Sequence, residues 1–366
     1  MIKRVKDIKE RLKLINEVGE EIITDNDLKK LLKEKEIFVA YDGFEPSGTD
    51  IHIAQGLLRA INVNKIIAAG GEFKILVADW HAWANNKMGG DLEKIQKVGK
   101  YFVEVWKACG MDLNHVEFVW ASELLDNKDY WRTVMKVARN STLNRLLRTT
   151  QIMGRSEKDT LSASQIFYPC MQAADIFHLK ADLCQLGMDQ RKVNMLAREV
   201  GEKIGYYKPV VVSHHMLMGL QQPPDNLEEM TPADRTVALK MSKSKPDTAI
   251  FMTDSEKDID RKMKNAWCPA KQIKENPVME YCKYIVFQKF DNFEIKRSEK
   301  FGGNLTIKSY EELEDEYKKG NIHPLDLKKT VAFYINELVK PVREKLLNDE
   351  RIRKMREEIK GFKVTR

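Results

Sequence analysis

Short apolar stretches alternate with longer amphipathic ones along the first two thirds of the chain. The β-branched run in "EKEIFVAYDGF" predicts a strand running into a turn, and "IHIAQGLLRAINVNKIIAAG" predicts a helix that closes at Gly70-Gly71. "EFKILVADWHAW" predicts a second, buried strand. "DLEKIQKVGKYFVEVWKACG" predicts a helix capped by Asp91, with Gly110 just past its end. "HVEFVWAS", "ADLCQLGMD" and "PVVVSHHMLMGL" predict further strands, and "QRKVNMLAREVGEKIG" another helix. Strands alternating with helices at these lengths predict a parallel sheet with helices on both faces, and continuous apolar runs such as "KILVA" suit strands buried on both sides. The N-terminal stretch, residues 1–35, reads as an amphipathic helix with Ile8, Leu12 and Ile15 on one side. Residues 126–167 read as polar helices, an insertion between two halves of the sheet, and 221–236 as loop. Beyond roughly residue 255 the pattern becomes helical, interrupted by "FEIKRS" and "NLTIKS" around "FGGN".

The chain has 366 residues, enough for more than one domain, with 43% hydrophobic and 32% charged residues, the balance of a globular protein. No apolar run approaches the ~20 residues of a membrane span. The acidic, charge-alternating start lacks the apolar segment of a secretory leader, so a cytoplasmic protein is expected. The five cysteines are scattered without a CxxC pair, and no histidine cluster has zinc spacing, so free thiols and no structural metal are expected. Net charge is +7, and the basic helices from Lys340 onward suit either an anionic partner such as nucleic acid or a solvated, mixed-charge face.

Three segments carry candidate chemistry. The first is "YDGFEPSGTDIHIAQG", where a strand enters a turn and a helix begins. Gly43 and Gly48 permit close backbone approach, the helix start offers free N–H groups, and His52 stands in its first turn. On its own His52 reads equally as a cap or a core histidine. The second is "LKMSKSKPD", a loop in which Lys240 and Lys243 could neutralise a leaving pyrophosphate, or form an ordinary basic loop. In the third, Tyr168, Gln172 and Asp175 are spaced i, i+4, i+7 and share one helix face. Their neighbours are apolar, so this polar row is buried and requires partners. These could be a structural network or a polar ligand. Pro169 is expected in the first turn of that helix.

The His52 turn followed by KMSKS resembles the class I aminoacyl-tRNA synthetases. Y-P-x-x-Q-x-x-D from Tyr168, followed by G-x-D-Q-R-K, resembles the tyrosyl-tRNA synthetases of eukaryotic and archaeal type, from Tyr41 through "HPLDLKK". Bacterial-type tryptophanyl enzymes carry Met where this chain has Gln172 and lack a counterpart of Tyr41. The resemblance implies a Rossmann-like doubly wound catalytic domain (1–250) with a helical insertion (about 125–165) and a mainly α-helical anticodon-binding domain (251–366). It implies tyrosine, ATP with Mg²⁺ and tRNA(Tyr) as partners, and a homodimer. Tyr41 and Asp175 would meet the phenolic hydroxyl, and Tyr168, Gln172 and Gln190 the α-ammonium group. Asp79 and His81 would line the pocket. Gly43, Ser47, Gln55, Gly187 and Asp189 would meet ATP, with the backbone of 216–220, ending at Leu220, on the adenine. His52, Lys240 and Lys243 would be catalytic. Arg148, Arg191, Phe301 and Asp326 would contact tRNA. The family's first motif often reads H-I-G-H; here it ends in the uncharged Gln55.

Overall fold

A computed structural model describes residues 2–154, 160–230 and 232–365, apart from the side chains of 232, 233 and 301. Its centre is a six-stranded sheet. The strands are β1 (Gly19–Ile23), β2 (Phe38–Phe44), β3 (Gly71–Val77), β4 (Val116–Trp120), β5 (Leu183–Gly187) and β6 (Val210–His214), ordered β1-β6-β5-β2-β3-β4. β2 to β6 run parallel, with Tyr41 of β2 registered against Cys184 of β5. The strand order reverses between β2 and β5, and a doubly wound sheet opens its ligand crevice at the carboxyl ends of the strands at that point.

The sheet is mixed rather than wholly parallel, because β1 pairs antiparallel with β6 at the edge. The N-terminal helix (Ile8–Val18) stops at Gly19 to make this strand. Other boundaries also shift from expectation. The stretch after β3 turns helical at Asp79–Ala84, the one after β4 at Ala121–Leu125, and β6 ends at His214 before "HMLMGL". Pro232–Leu239 adds a helix to the expected loop.

One sheet face shares a continuous apolar core with the C-terminal helices, from Ile15 and Phe73 to Val339 and Leu346. The other packs under the helix Ala163–His178 and the inserted helix Lys128–Arg139. Ala163–His178 starts at a reciprocal cap in which Ser162 and Gln165 satisfy each other's backbone N–H groups. Pro169 lies inside this helix, not in its first turn. After residue 255 come the helices Glu256–Asn265, Pro277–Tyr284, Tyr310–Lys319, Pro324–Asn348 and Glu350–Lys360, with a small hairpin of β7 (Phe293–Ile295) and β8 (Leu305–Ile307).

Arg11 ties the N-terminal helix to the sheet. It is 3% exposed and donates to the carbonyls of Ala69 (2.6 Å), Leu32 (3.0 Å), Lys35 (3.0 Å) and Glu36 (2.9 Å). Gly70 makes room for it: φ is +103°, and a Cβ there would lie 2.4 Å from the Glu36 carbonyl. Arg11→Met strips four carbonyls of their donor, two of them in buried bonds, and is expected to lower the thermal midpoint by about 5 °C. An unchanged midpoint in differential scanning calorimetry would contradict this role.

Candidate active site

At the crevice lies a cavity of about 310 Å³, lined by the carboxyl ends of β2 and β5, the helix Ala163–His178 and the segments around His52, His215 and Lys240. Its deep end is built on Asp175, which is fully buried. Asp175 Oδ1 accepts from the Tyr130 hydroxyl at 2.7 Å, and Oδ2 lies 2.9 Å from His81 Nε2, an ion-pair distance without hydrogen-bond alignment. Burial works against a charged His81, but Asp175 outweighs it and raises the imidazole pKa. Tyr41, 1% exposed, faces the same space; burial first and then the Asp175 charge push its phenol pKa well up, so it stays a donor. Gly43 leaves room for this ring: a Cβ there would stand 3.0 Å from the Tyr41 hydroxyl. Asp175 as acceptor and Tyr41 as donor can together grip one ligand hydroxyl.

The middle of the cavity is polar. Tyr168 is buried beside Glu45, whose carboxylate accepts from Asn85 Nδ2 at 3.0 Å. Gln172 Nε2 donates to Gln190 Oε1 (3.2 Å), and Gln190 Nε2 donates to the Ile152 carbonyl (3.0 Å). Gln172 Oε1 is buried without a partner. A buried acceptor left open beside a hydroxyl and a carboxylate suits a cationic donor such as an ammonium group.

The other end gathers positive charge. Lys240 Nζ lies 2.9 Å from Asp189 Oδ2. Lys243 Nζ donates to the Ser47 carbonyl (2.7 Å) and sits 4.4 Å above the Phe102 ring. Burial lowers the Lys243 pKa to about 7, with Arg59 and Lys87 adding to the effect. His52 is 6% exposed; burial, then Lys243, Lys240 and Arg59, hold it well below the usual histidine range. It is therefore a neutral hydrogen-bonding group. Gly48 (φ +80°) is required here, since a Cβ would meet Lys243 Cδ at 2.9 Å. The lysine loop is anchored at both ends. Met241 N bonds Leu217 O and Gly219 N bonds Leu239 O, while Ile53 N bonds Ile250 O and Met252 N bonds Ile51 O. Residues 242–248 span the gap between these anchors.

Of the expected site residues, Tyr41, Gly43, Ser47, His52, Gln55, His81, Tyr168, Gln172, Asp175, Gly187, Asp189, Gln190 and Lys240 line this one cavity, and Lys243 reaches its rim through Ser47. Leu220 does not line it. Its N–H bonds Thr248 O and its carbonyl accepts from Trp267 N, both at 2.8 Å, so that backbone is already committed; Met216 and Leu217 line the wall instead. Asp79 also faces away, accepting from Trp80 N, Gln96 Nε2 and Ser122 N. Arg148 is exposed, Arg191 is paired with Glu21 at 2.5 Å, and Asp326 sits in the first turn of Pro324–Asn348; none lines the cavity. The side chain of Phe301 lies outside the described residues. The sequence reading missed Tyr130, Asp42, Glu45, Arg59, His214 and His215, whose roles depend on contacts between distant segments.

Residues 33–340 match the family model of the class I tRNA synthetases for tryptophan and tyrosine. The chain belongs to that family, on its tyrosine side. It is 51% identical over 363 residues to the cytoplasmic tyrosine–tRNA ligase 1 of Arabidopsis thaliana, covering 98% of this chain and 90% of that one. It is 43% identical to the tyrosine–tRNA ligase of Thermococcus kodakarensis, covering 92% and 95%. The crystal structure of the Pyrococcus horikoshii tyrosyl-tRNA synthetase complexed with L-tyrosine superposes with a TM-score of 0.89 at 37% identity, covering 96% and 100%. The Plasmodium falciparum tryptophanyl-tRNA synthetase, at 20% identity and a TM-score of 0.68, shares the fold.

His215 links this tyrosyl-type site to the C-terminal helices. Nδ1 lies 3.1 Å from Glu20, Nε2 lies 3.1 Å from Glu280, and the ring stacks on Tyr284 at 4.4 Å. Burial opposes its charge, but the hydrogen bond to Glu20 and the nearby Glu280 carboxylate outweigh this and raise its pKa to about 9. A raised folded-state pKa means stability that is complete below the unfolded value of ~6.5 and is lost as pH rises through about 9. The thermal midpoint should therefore fall on His215→Gln at about pH 6 and by much less at about pH 10. A difference independent of pH would contradict the ionic role.

Proposed function

We propose that the protein activates tyrosine with ATP and transfers it to the 3′ end of tRNA(Tyr). The observation that carries this reading is the union, in one cavity, of the Tyr41–Asp175 pair with a cation-rich opposite end. Tyrosine enters with its phenol against Asp175 and Tyr41. Its ammonium group meets Gln172 Oε1, Tyr168 and Gln190, and its carboxylate points toward the phosphate end. A site that hydrogen-bonds the phenol rejects an analogue without it, because buried polar groups would then go unpaired; tyrosyl-tRNA synthetases against phenylalanine are the known example.

The tyrosine carboxylate is already ionised, so attack on the α-phosphorus needs no general base. The carboxylate oxygen bonds to phosphorus as the bridging oxygen to pyrophosphate leaves. Positioning and charge stabilisation do the work. Neutral His52 donates to a phosphate oxygen, and Lys240 and Lys243 neutralise the pyrophosphate, with Mg²⁺ arriving on ATP. Asp189 and Gly187 receive the ribose, Ser47 and Gln55 border the phosphates, and Met216 and Leu217 face the adenine. Lys240 exchanges Asp189 for the phosphates by side-chain rotation, and Lys243 must leave the Ser47 carbonyl, which gives loop 242–248 its reason to move. A tRNA ribose hydroxyl then attacks the tyrosyl carbonyl and AMP leaves.

Residues 1–250 form the catalytic unit and 251–366 the tRNA-reading unit, with Asp326 and Phe301 toward the anticodon and Arg148 and Arg191 toward the acceptor end. Trp131, Met135 and Leu143 are exposed on the inserted helices and supply the apolar face for a homodimer. A cytoplasmic setting fits the name of the Arabidopsis relative. Among the described residues, no helix is long and apolar enough to cross a membrane.

Pyrophosphate exchange into ATP should require tyrosine and fail with tryptophan; the reverse dependence would overturn the reading. Lys243→Ala should slow exchange about 100-fold and leave tyrosine affinity within about twofold. Parallel losses would remove Lys243 from the chemistry. With its pKa near 7 in the free protein, Lys243 loses its proton as pH rises. A triphosphate favours the charged form, so ATP binding should take up protons and weaken between about pH 6.5 and 8.5. Calorimetry in buffers of different ionisation enthalpy that showed no proton uptake would contradict this.

A further inference from the structure

Arg59 has no part in the reading above, yet it stands inside the same cavity. It opens the helix Arg59–Ala68 directly after a wide turn, Ala54–Leu58, where Leu58 N bonds back to Ile53 O at 3.0 Å. Wide turns of this kind recur at functional sites because they re-aim the following side chains. The Arg59 side chain is 12% exposed, and its Nε lies 2.9 Å from Asp42 Oδ2. Its Nη1 is buried without a hydrogen-bond partner.

The guanidinium is seated on aromatic rings. Its carbon lies 5.1 Å from the Trp106 ring centre and 5.8 Å from that of Phe44. Those two rings meet edge to face at 4.0 Å, and Phe102, which carries Lys243, contacts both at 6.0 and 6.3 Å. One aromatic cluster therefore seats two cations at the phosphate end.

The Asp42–Arg59 pair is a poor candidate for a purely stabilising bridge. Burial outweighs the attraction of Arg59 and leaves the Asp42 carboxyl raised to about 6. A buried pair of this kind is weak evidence for stability. Gln55 lies one turn before Arg59, lines the same cavity, and is uncharged where the related motif carries a second histidine. Its own Oε1 has no partner.

Resting on the reading that this cavity activates an amino acid with ATP, we propose that Arg59 is a further catalytic residue. Its open Nη1 donates to a phosphate oxygen of ATP and supplies the fixed positive charge that Gln55 lacks, while Asp42 sets its orientation. A planar guanidinium with one edge held and a second N–H free is suited to an oxyanion.

The test is tyrosine-dependent pyrophosphate exchange, with tyrosine affinity measured separately. Arg59→Gln should slow exchange about 100-fold and leave tyrosine affinity within about twofold. The double variant Asp42→Asn/Arg59→Gln removes the stranded carboxylate and restores folding if Arg59→Gln alone is unstable; it should remain equally slow. Adding Gln55→His to Arg59→Gln should recover about tenfold. Near-normal exchange in either Arg59 variant, tyrosine affinity falling in parallel with rate, or no recovery with Gln55→His would each overturn the proposal. Absence of tyrosine-dependent exchange in the unaltered protein would instead overturn the ligase reading, and the proposal with it.

Discussion

A carboxylate with no exposure to water sits at the bottom of the cavity, and the surrounding structure exists in large part to hold it there. Asp175 has Tyr130 on one oxygen and His81 near the other. Burying a carboxylate costs several kcal/mol unless neighbours supply hydrogen bonds and opposite charge. The carboxylate and these two neighbours come from three separate segments: the helix Ala163–His178, the inserted helix Lys128–Arg139, and the helix after β3. None of them works alone. The insertion is thus more than an appendage, because Tyr130 carries it into the floor of the site.

Sheet order then decides what lies opposite. Because β3 and β4 fill one side of β2 and β5 and β6 the other, the end of β2 faces an open crevice, not a neighbouring loop. The Tyr41–Asp175 end and the cation-rich end are two walls of that crevice. The C-terminal helices hold one wall in place. Glu280 accepts from Met218 N, Tyr281 donates to Met218 O, and Trp267 N bonds Leu220 O. That segment in turn carries the strand-like start of the lysine loop. The part proposed to read tRNA is therefore in physical contact with the part proposed to meet ATP.

Much of this was readable from local pattern. The polar row Tyr168–Gln172–Asp175 was visible because helical spacing alone puts those residues on one face, and the buried strands were visible as unbroken apolar runs. β1 was hidden, because "GEEII" is short and acidic and continues a helical pattern. Asp79 and Leu220 looked like pocket residues from their place in the sequence; one caps helices and the other has its backbone hydrogen bonds committed elsewhere. Tyr130 and Arg59 escaped notice for the opposite reason. Each lies in an ordinary amphipathic helix, and only the fold shows that one touches Asp175 and the other lines the cation-rich end of the cavity.

The most direct measurement is calorimetric titration of the protein with tyrosine and with phenylalanine under identical conditions. If Asp175 and Tyr41 grip a phenolic hydroxyl, tyrosine binds at least about 100-fold more tightly, and Tyr41→Phe narrows the gap. Comparable affinities for the two amino acids would contradict the account at its base.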